Sequence, residues 1–254
     1  MGPWSALGLH MPLATFARQM RWLATHYDVV SLDDFVDRVT TARSRRGTAV
    51  ITFDDAYAGV FEHAWPLLQE LNLPATVFVV ANAPDMDADF WWDHPAVLRS
   101  YSRAAEQHWI SALRGDRAAI LTDVGDANAP RPPSACRPAS WPTIKAAAAS
   151  GIRLGAHSAT HRSLPDLDAL DLHRELRLCR EEIAHRTGVA PDFFAYPYGR
   201  WNDAVREAVR AAGYRAAVSL DATRPADLWT LPRLNVPAGI GDAAFQAWAA
   251  GLRP

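Results

Sequence analysis

Three short segments, far apart in the chain, carry side chains that together could form a hydrolytic metal site. They are Thr52-Phe53-Asp54-Asp55, His157-Ser158-Ala159-Thr160-His161 and Phe194-Ala195-Tyr196-Pro197-Tyr198-Gly199. Two imidazoles and one carboxylate suit an open Zn²⁺ site, which keeps a position for water. The second carboxylate is then free to act as a base toward a water that the cation has made acidic. Imidazoles four residues apart can reach one metal from a turn of helix or a tight loop. No Glu follows His157, so this is not the zinc-protease helix. An Asp-Asp pair alone means little, and Asp33-Asp34 reads as a helix start. It is the pairing of Asp54-Asp55 with His157 and His161 that carries chemistry.

Side chains so distant in sequence need a scaffold that brings strand ends together. Apolar, β-branched or aromatic runs mark strands at 28–31, 48–53, 75–81, 152–156, 192–196, 215–220 and 233–236. Helical patterns alternate with them at 15–26, from Ser31 onward behind a capping box, and at 60–71, 141–151, 167–186 and 201–212. This alternation points to a parallel α/β architecture, in which residues at the ends of different strands converge on one rim. Residues 83–140 break the rhythm. They read as an insertion with helices near 95–105 and 108–121 and a Pro-rich stretch at 129–138. Nothing between strands resembles a linker, so residues 1–254 are expected to form a single domain.

Composition narrows the function classes. A net charge of −2 gives no general basic field for nucleic acid. No apolar run approaches the length of a membrane span. No basic n-region precedes Arg18 and no clean apolar h-region follows, so no secretory signal is read and a cytoplasmic location is expected. Cys136 and Cys179, the 2 cysteines, lack metal or redox spacing and are expected to be free thiols. Ten Trp, with Trp4, Trp91, Trp92, Trp109, Trp141, Trp201 and Trp229 in or beside loop-like stretches, allow an aromatic-lined sugar groove beside ordinary packing.

From about Phe16 to Val236 the chain resembles the metal-dependent polysaccharide deacetylases (NodB-homology, carbohydrate esterase family 4). Thr-Phe-Asp-Asp resembles the first family motif, which implies Asp54 as general base and Asp55 as metal ligand. His-Ser-Ala-Thr-His resembles the second, which implies His157 and His161 as the other ligands. Phe-Ala-Tyr-Pro-Tyr-Gly looks like the third, a wall of the groove, with the Tyr198 N–H at the oxyanion. Phe90-Trp91-Trp92-Asp93 and Leu231-Pro232-Arg233 also look like segments of one branch of this family. The resemblance implies a distorted (β/α) barrel of about seven parallel strands. It also implies a divalent cation, Zn²⁺ foremost, and hydrolysis of an N-acetyl group on an amino sugar or a metabolite containing one. Tyr57, Trp92, Tyr196, Pro197 and Trp229 are the candidate substrate contacts.

The sequence departs from the family pattern in four places. Ala56 stands where Gly usually follows the Asp pair. Ala195 stands where an Arg usually orients the base, and Arg233, or less readily Arg200, is the candidate replacement. No His follows His185, so the late Leu-x-His motif that supplies the general acid has no counterpart; His94 is a weak candidate, and the remaining histidines, His10 among them, read as helix-face or surface residues. The Tyr-His strand that opens many relatives is missing, which implies a barrel short of its first strand or a truncated start. Two rival functions share these residues: a cyclic amide or ureide hydrolase, and a catalytically silent sugar-binding barrel.

Overall fold

The computed structural model describes residues 10–86, 88–125, 131–220 and 227–252. Its strands are β1 (Asp28–Val29), β2 (Thr48–Ala49), β3 (Ile51–Phe53), β4 (Ala75–Val79), β5 (Arg153–Ala156), β6 (Phe193–Ala195), β7 (Ala216–Ser219) and β8 (Leu231–Pro232). Its helices are α1 (Leu13–His26), α2 (Leu32–Thr40), α3 (Trp65–Glu70), α4 (Pro95–Ser100), α5 (Arg103–Gln107), α6 (Arg117–Val124), α7 (Trp141–Ala149), α8 (Ala169–Thr187), α9 (Asp203–Ala211) and α10 (Asp242–Ala249).

Strands β3 to β8 pair in chain order, every ladder parallel, and form a curled half-barrel. The run 48–53 bends at Val50: β2 pairs with β1 on one side, and β3 pairs with β4 on the other. Among the described residues no ladder joins β8 back to β1, so the barrel is open along that seam. The expected strand at 233–236 is instead β8. It pairs with β7 only at Leu231 and Pro232, because β7 ends at Ser219 and offers no partner beyond. Pro232 is tolerated because β8 is an edge strand.

Side-chain alternation divides the core. Phe78, Phe193, Ala195, Val218 and Leu231 pack together with Leu32 and Val36 of α2. Val77, Val79, Leu154, Ala156, Phe194 and Tyr196 pack with the residues of α7, α8 and α9. In β5 a Cβ on Gly155 would collide with the Phe78 ring, so glycine there lets that ring lie against the strand.

The helices begin where local chemistry allows. Ser31 caps α2 by accepting from the Asp34 N–H at 3.0 Å, and Asp168 caps α8 by accepting from the Asp171 N–H at 2.8 Å. Gly188 closes α8 in the left-handed conformation. Residues 83–140 carry α4, α5, a π turn at His108–Ala112, and α6. The segment returns beside the first motif: Tyr57 bridges Pro138, the Ala139 N–H donates to Ala56 O at 2.9 Å, and the Ala58 N–H donates to Arg137 O at 2.8 Å. Both cysteines are free. No helix among the described residues is long and apolar enough to cross a membrane.

Candidate metal centre and catalytic cleft

Because the ladders are parallel, the C-terminal ends of β3, β5, β6 and β8 lie on one rim. Asp54, His157, Tyr196 and Arg233 are the first residues past those ends. Adjacent side chains leave a strand on opposite faces, and a turn after β3 overcomes this for the Asp pair. Asp55 and Ala56 are both left-handed, with φ of 67° and 53°. Left-handed backbone costs a residue with a Cβ about 1–2 kcal/mol, and such outliers cluster where function needs them. Ser158, His161 and Tyr198 share this conformation. Ala56 thus takes up a left-handed turn that favours Gly.

The His157–His161 loop is held from several sides. The His157 N–H donates to Val79 O at 2.8 Å, and the His161 N–H donates to Ser158 Oγ at 2.9 Å. On α8, Glu175 accepts from the Thr160 N–H at 2.9 Å and from the Thr160 hydroxyl, and its own carbonyl accepts from the Ala159 N–H at 3.0 Å. His157 Nδ1 lies 2.8 Å from Ala195 O and donates to it, so Nε2 is left as a ligand atom.

His157 Nε2 and His161 Nε2 stand 3.2 Å apart. Asp55 Oδ1 lies 3.7 Å from the first and 3.5 Å from the second. Ligands at about 2.0–2.1 Å in a tetrahedral shell stand roughly 3.3 Å apart, so the three atoms fit one small divalent cation. Asp55 Oδ1 is buried and has no hydrogen-bond partner, a state that a cation would relieve. Burial lowers the basicity of both imidazoles, most strongly at His161, which keeps them neutral as ligands must be. Burial, and then the charges of Asp54 and Asp93, push the Asp55 carboxyl well above its usual range.

Asp54 stands beside this set, its Oδ2 3.7 Å from His157 Nε2. Arg233 grips it with both arms, Nη1 to Oδ1 at 2.7 Å and Nη2 to Oδ2 at 2.8 Å, and Nη1 also reaches Thr52 Oγ1 at 3.2 Å. Burial would raise the Asp54 carboxyl, but the charge of Arg233 and its paired hydrogen bonds outweigh it and hold the group well below the usual range. The guanidinium lies 5.4 Å from the Phe78 ring centroid, and Phe78 shares its cluster with Ala195. An Arg just past β8 thus supplies the charge that Ala195 lacks. Arg200 is engaged elsewhere, by Ser111, Ser163 and Asp166.

The cleft over these residues has a volume of about 920 Å³. Tyr57, Trp92, Tyr196 and Tyr198 line it; Pro197 and Trp229 do not. Tyr196 is fully buried with the helix-facing cluster and donates to Trp229 O at 2.7 Å. Trp229 itself donates to Tyr214 O at 3.3 Å and lies beneath Arg210. Trp92 packs its ring 4.5 Å from that of His161 and donates to the Tyr57 hydroxyl at 2.7 Å. The Tyr198 hydroxyl donates to His161 O at 3.0 Å and accepts from Trp91 Nε1 at 3.1 Å. Its ring passes so close to Gly115 that a Cβ there would come within 2.5 Å of the hydroxyl oxygen. The backbone bonds of this turn run from the Gly199 N–H to Tyr196 O and from the Arg200 N–H to Pro197 O; the Tyr198 N–H takes part in neither.

The polysaccharide deacetylase family model matches residues 41–217, well over half of the chain and all three motifs. The chain belongs to the polysaccharide deacetylase family. A Bacillus subtilis (strain 168) protein named as a polysaccharide deacetylase, YxkH, is 20% identical over 98% of this chain and 74% of its own length. Among solved structures, the Streptococcus pyogenes deacetylase PplD, in complex with acetate, gives a TM-score of 0.66 at 15% identity, covering 97% of this chain and 89% of its own. IcaB from Ammonifex degensii gives 0.62 at 19% identity, covering 94% and 88%. At these identities the structural likeness is one of fold.

Against the family pattern, two histidines sit differently from their sequence-based expectation. His94 is buried and its Nδ1 accepts from the Ala96 N–H at the start of α4, so its ring is occupied as a helix cap. His10 is not a surface residue. It lines the cleft, with Nε2 2.8 Å from Asp93 Oδ1 and its ring edge-on to Tyr57. Asp93 and Glu175 were not singled out by the sequence. Asp93 had a signal in its Phe-Trp-Trp-Asp context; Glu175 had none, being one of many charges on a long helix. Trp4 and the first two residues of the Pro-rich stretch lie outside the described residues.

Proposed function

We propose that this polysaccharide deacetylase family member removes N-acetyl groups from an amino sugar, or from a metabolite that contains one, with a divalent cation, Zn²⁺ foremost, held by Asp55, His157 and His161. The observation that carries the reading is the convergence of those three ligand atoms, all within 4.8 Å of one another, beside an Asp54 clamped by Arg233. When bound, the cation supplies Lewis acidity toward water and the acyl oxygen. Asp54 accepts the proton of the attacking water. Arg233 keeps Asp54 ionised and aims its carboxylate. The Tyr198 N–H is the donor to the oxyanion that develops on the acyl oxygen. Trp92 and Tyr57 form the wall against which the sugar ring rests.

The test is acetate release from a panel of N-acetylated sugars and amino-sugar metabolites, with chelated protein and with Zn²⁺ restored. Release that follows the metal supports the reading. Asp54→Asn should lose about 10²–10⁴-fold in kcat, the usual worth of a general base, while binding zinc one-to-one. Full turnover in that variant would remove Asp54 from the mechanism. Zinc binding without release from any N-acetyl sugar would move the assignment to a cyclic amide or to silent binding.

A further inference from the structure

Amide hydrolysis needs an acid as well as a base, because an amine anion is too poor a leaving group to depart unprotonated. The late histidine of the family is absent, so the cleft must be searched for another donor. His157 and His161 are committed as ligands. The Tyr57 hydroxyl donates to Asp93 and that of Tyr198 to His161 O. His63 is half-exposed, with Glu62 3.9 Å away as its carboxylate neighbour. His10 differs from all of these. Its side chain is 19% exposed and lines the cleft, while its partner Asp93 is buried. Asp93 is itself fixed, accepting the Tyr57 hydroxyl at 2.6 Å on its other oxygen, and Tyr57 follows the ligand Asp55 by two residues. One ring nitrogen is thus anchored by a buried carboxylate, which fixes the ring and leaves the other nitrogen to donate to a substrate.

We propose that His10 is the general acid, with Asp93 as its positioning residue; this rests on the deacetylase reading above. Water forms the new C–O bond and gives a proton to Asp54. The C–N bond breaks with its electron pair passing to nitrogen, which takes a proton from the His10 imidazolium. Acetic acid, which loses its proton to solvent as acetate, and the free amine leave; Asp54 returns its proton to solvent, and His10 is reprotonated from solvent. The donor thus comes from the segment before α1, opposite in chain order to the family's late motif.

The experiment compares two acyl substrates in the full chain loaded with zinc: an N-acetylated amino sugar, and an aryl acetate whose phenolate departs without a proton. His10→Gln should lower amide kcat by about 10²–10³-fold and aryl-ester turnover far less, with zinc stoichiometry unchanged. Asp93→Asn should show the same split, more weakly. Added imidazole should restore part of the amide turnover of His10→Ala. Equal loss on both substrates together with no rescue would make His10 merely structural, and undiminished amide turnover in His10→Gln would exclude it outright. Wild-type protein that binds zinc but hydrolyses neither substrate would overturn the deacetylase reading and this assignment with it.

Discussion

A carboxylate that accepts two hydrogen bonds from one guanidinium is a weak base on its own, and Asp54 is held in that state. It can still serve if the water it deprotonates is already acidified, and this makes Arg233 and the cation parts of one device. In Arg233→Met, burial is no longer opposed by the guanidinium, so the Asp54 carboxyl should rise. The acid limb of the pH–rate profile should then move to higher pH, and turnover at neutral pH should fall at least about tenfold. Arg233→Lys should recover only part, because an ammonium cannot reproduce the bidentate fork. Stability follows the same sign. A carboxyl depressed in the folded state contributes stability above its unfolded value of about 3.9, and that contribution is lost as pH falls through the folded value. The stability gap between wild type and Arg233→Met should therefore be widest near neutral pH and close on acidification, as urea melts across pH would show. Spacing singled out Asp54, Asp55, His157 and His161 as a candidate set because each sits in a short motif, and the family resemblance implied which carboxylate is base and which is ligand. The Arg233–Asp54 pairing was only one of two candidates in the sequence, because 179 residues separate the partners and only the curl of the sheet brings the end of β8 back to the end of β3.

At the scale of elements, α8 does more than cover the sheet. Glu175 projects from it to hold Thr160, the residue just before His161, through both a backbone N–H and a hydroxyl. A buried carboxylate so used fixes the loop that places both ligand nitrogens. Glu175→Gln keeps the shape but puts an amide N–H₂ where one acceptor oxygen stood, so one of the two bonds is lost. Zinc affinity should fall about 10- to 100-fold, the usual cost of disturbing a support behind metal ligands. Glu175→Ala should add a stability loss of about 1–3 kcal/mol, since two hydrogen bonds to Thr160 are lost, each worth about 0.5–1.5 kcal/mol. Competition with a metal buffer and a urea melt measure the two effects separately. An unchanged zinc affinity in Glu175→Gln would show that the backbone contacts of the loop and Ser158 hold it without the carboxylate. Most elements here were legible in the sequence, because helix periods, caps and apolar runs are local. Tyr196 was legible only in part: it lines the cleft with Tyr198 and Trp92, while strand alternation packs its ring with Phe194 on the helix-facing side. The strand expected at 233–236 failed for a non-local reason as well, since pairing stops where the neighbour β7 stops.

For the whole molecule, the parallel half-barrel gathers unlike charges on one rim and leaves one of them unsatisfied. Without a cation, Asp55 is a buried carboxyl facing a second carboxylate, with an oxygen that has no hydrogen-bond partner. A carboxyl raised in the folded state lowers stability as pH rises above its unfolded value, so the fold carries a cost at neutral pH that the proposed cation would remove. Two consequences have opposite signs. A ligand that binds only the folded state, at about a hundredfold excess over its Kd, adds roughly 2.7 kcal/mol. At about 2–4 °C per kcal/mol for a chain of this size, Zn²⁺ should raise the melting temperature by about 5–10 °C, and a chelator should reverse it. Asp55→Asn should abolish that shift, yet melt higher than chelated wild type at pH 7, because it removes the buried charge while keeping the shape. Its advantage should fade as pH falls toward the unfolded carboxyl value, where wild-type Asp55 is neutral too. Asp54→Asn, which leaves all three ligands in place, should keep the zinc-dependent rise. If Asp55→Asn instead kept the zinc shift and Asp54→Asn lost it, the roles of the two adjacent carboxylates would have to be exchanged.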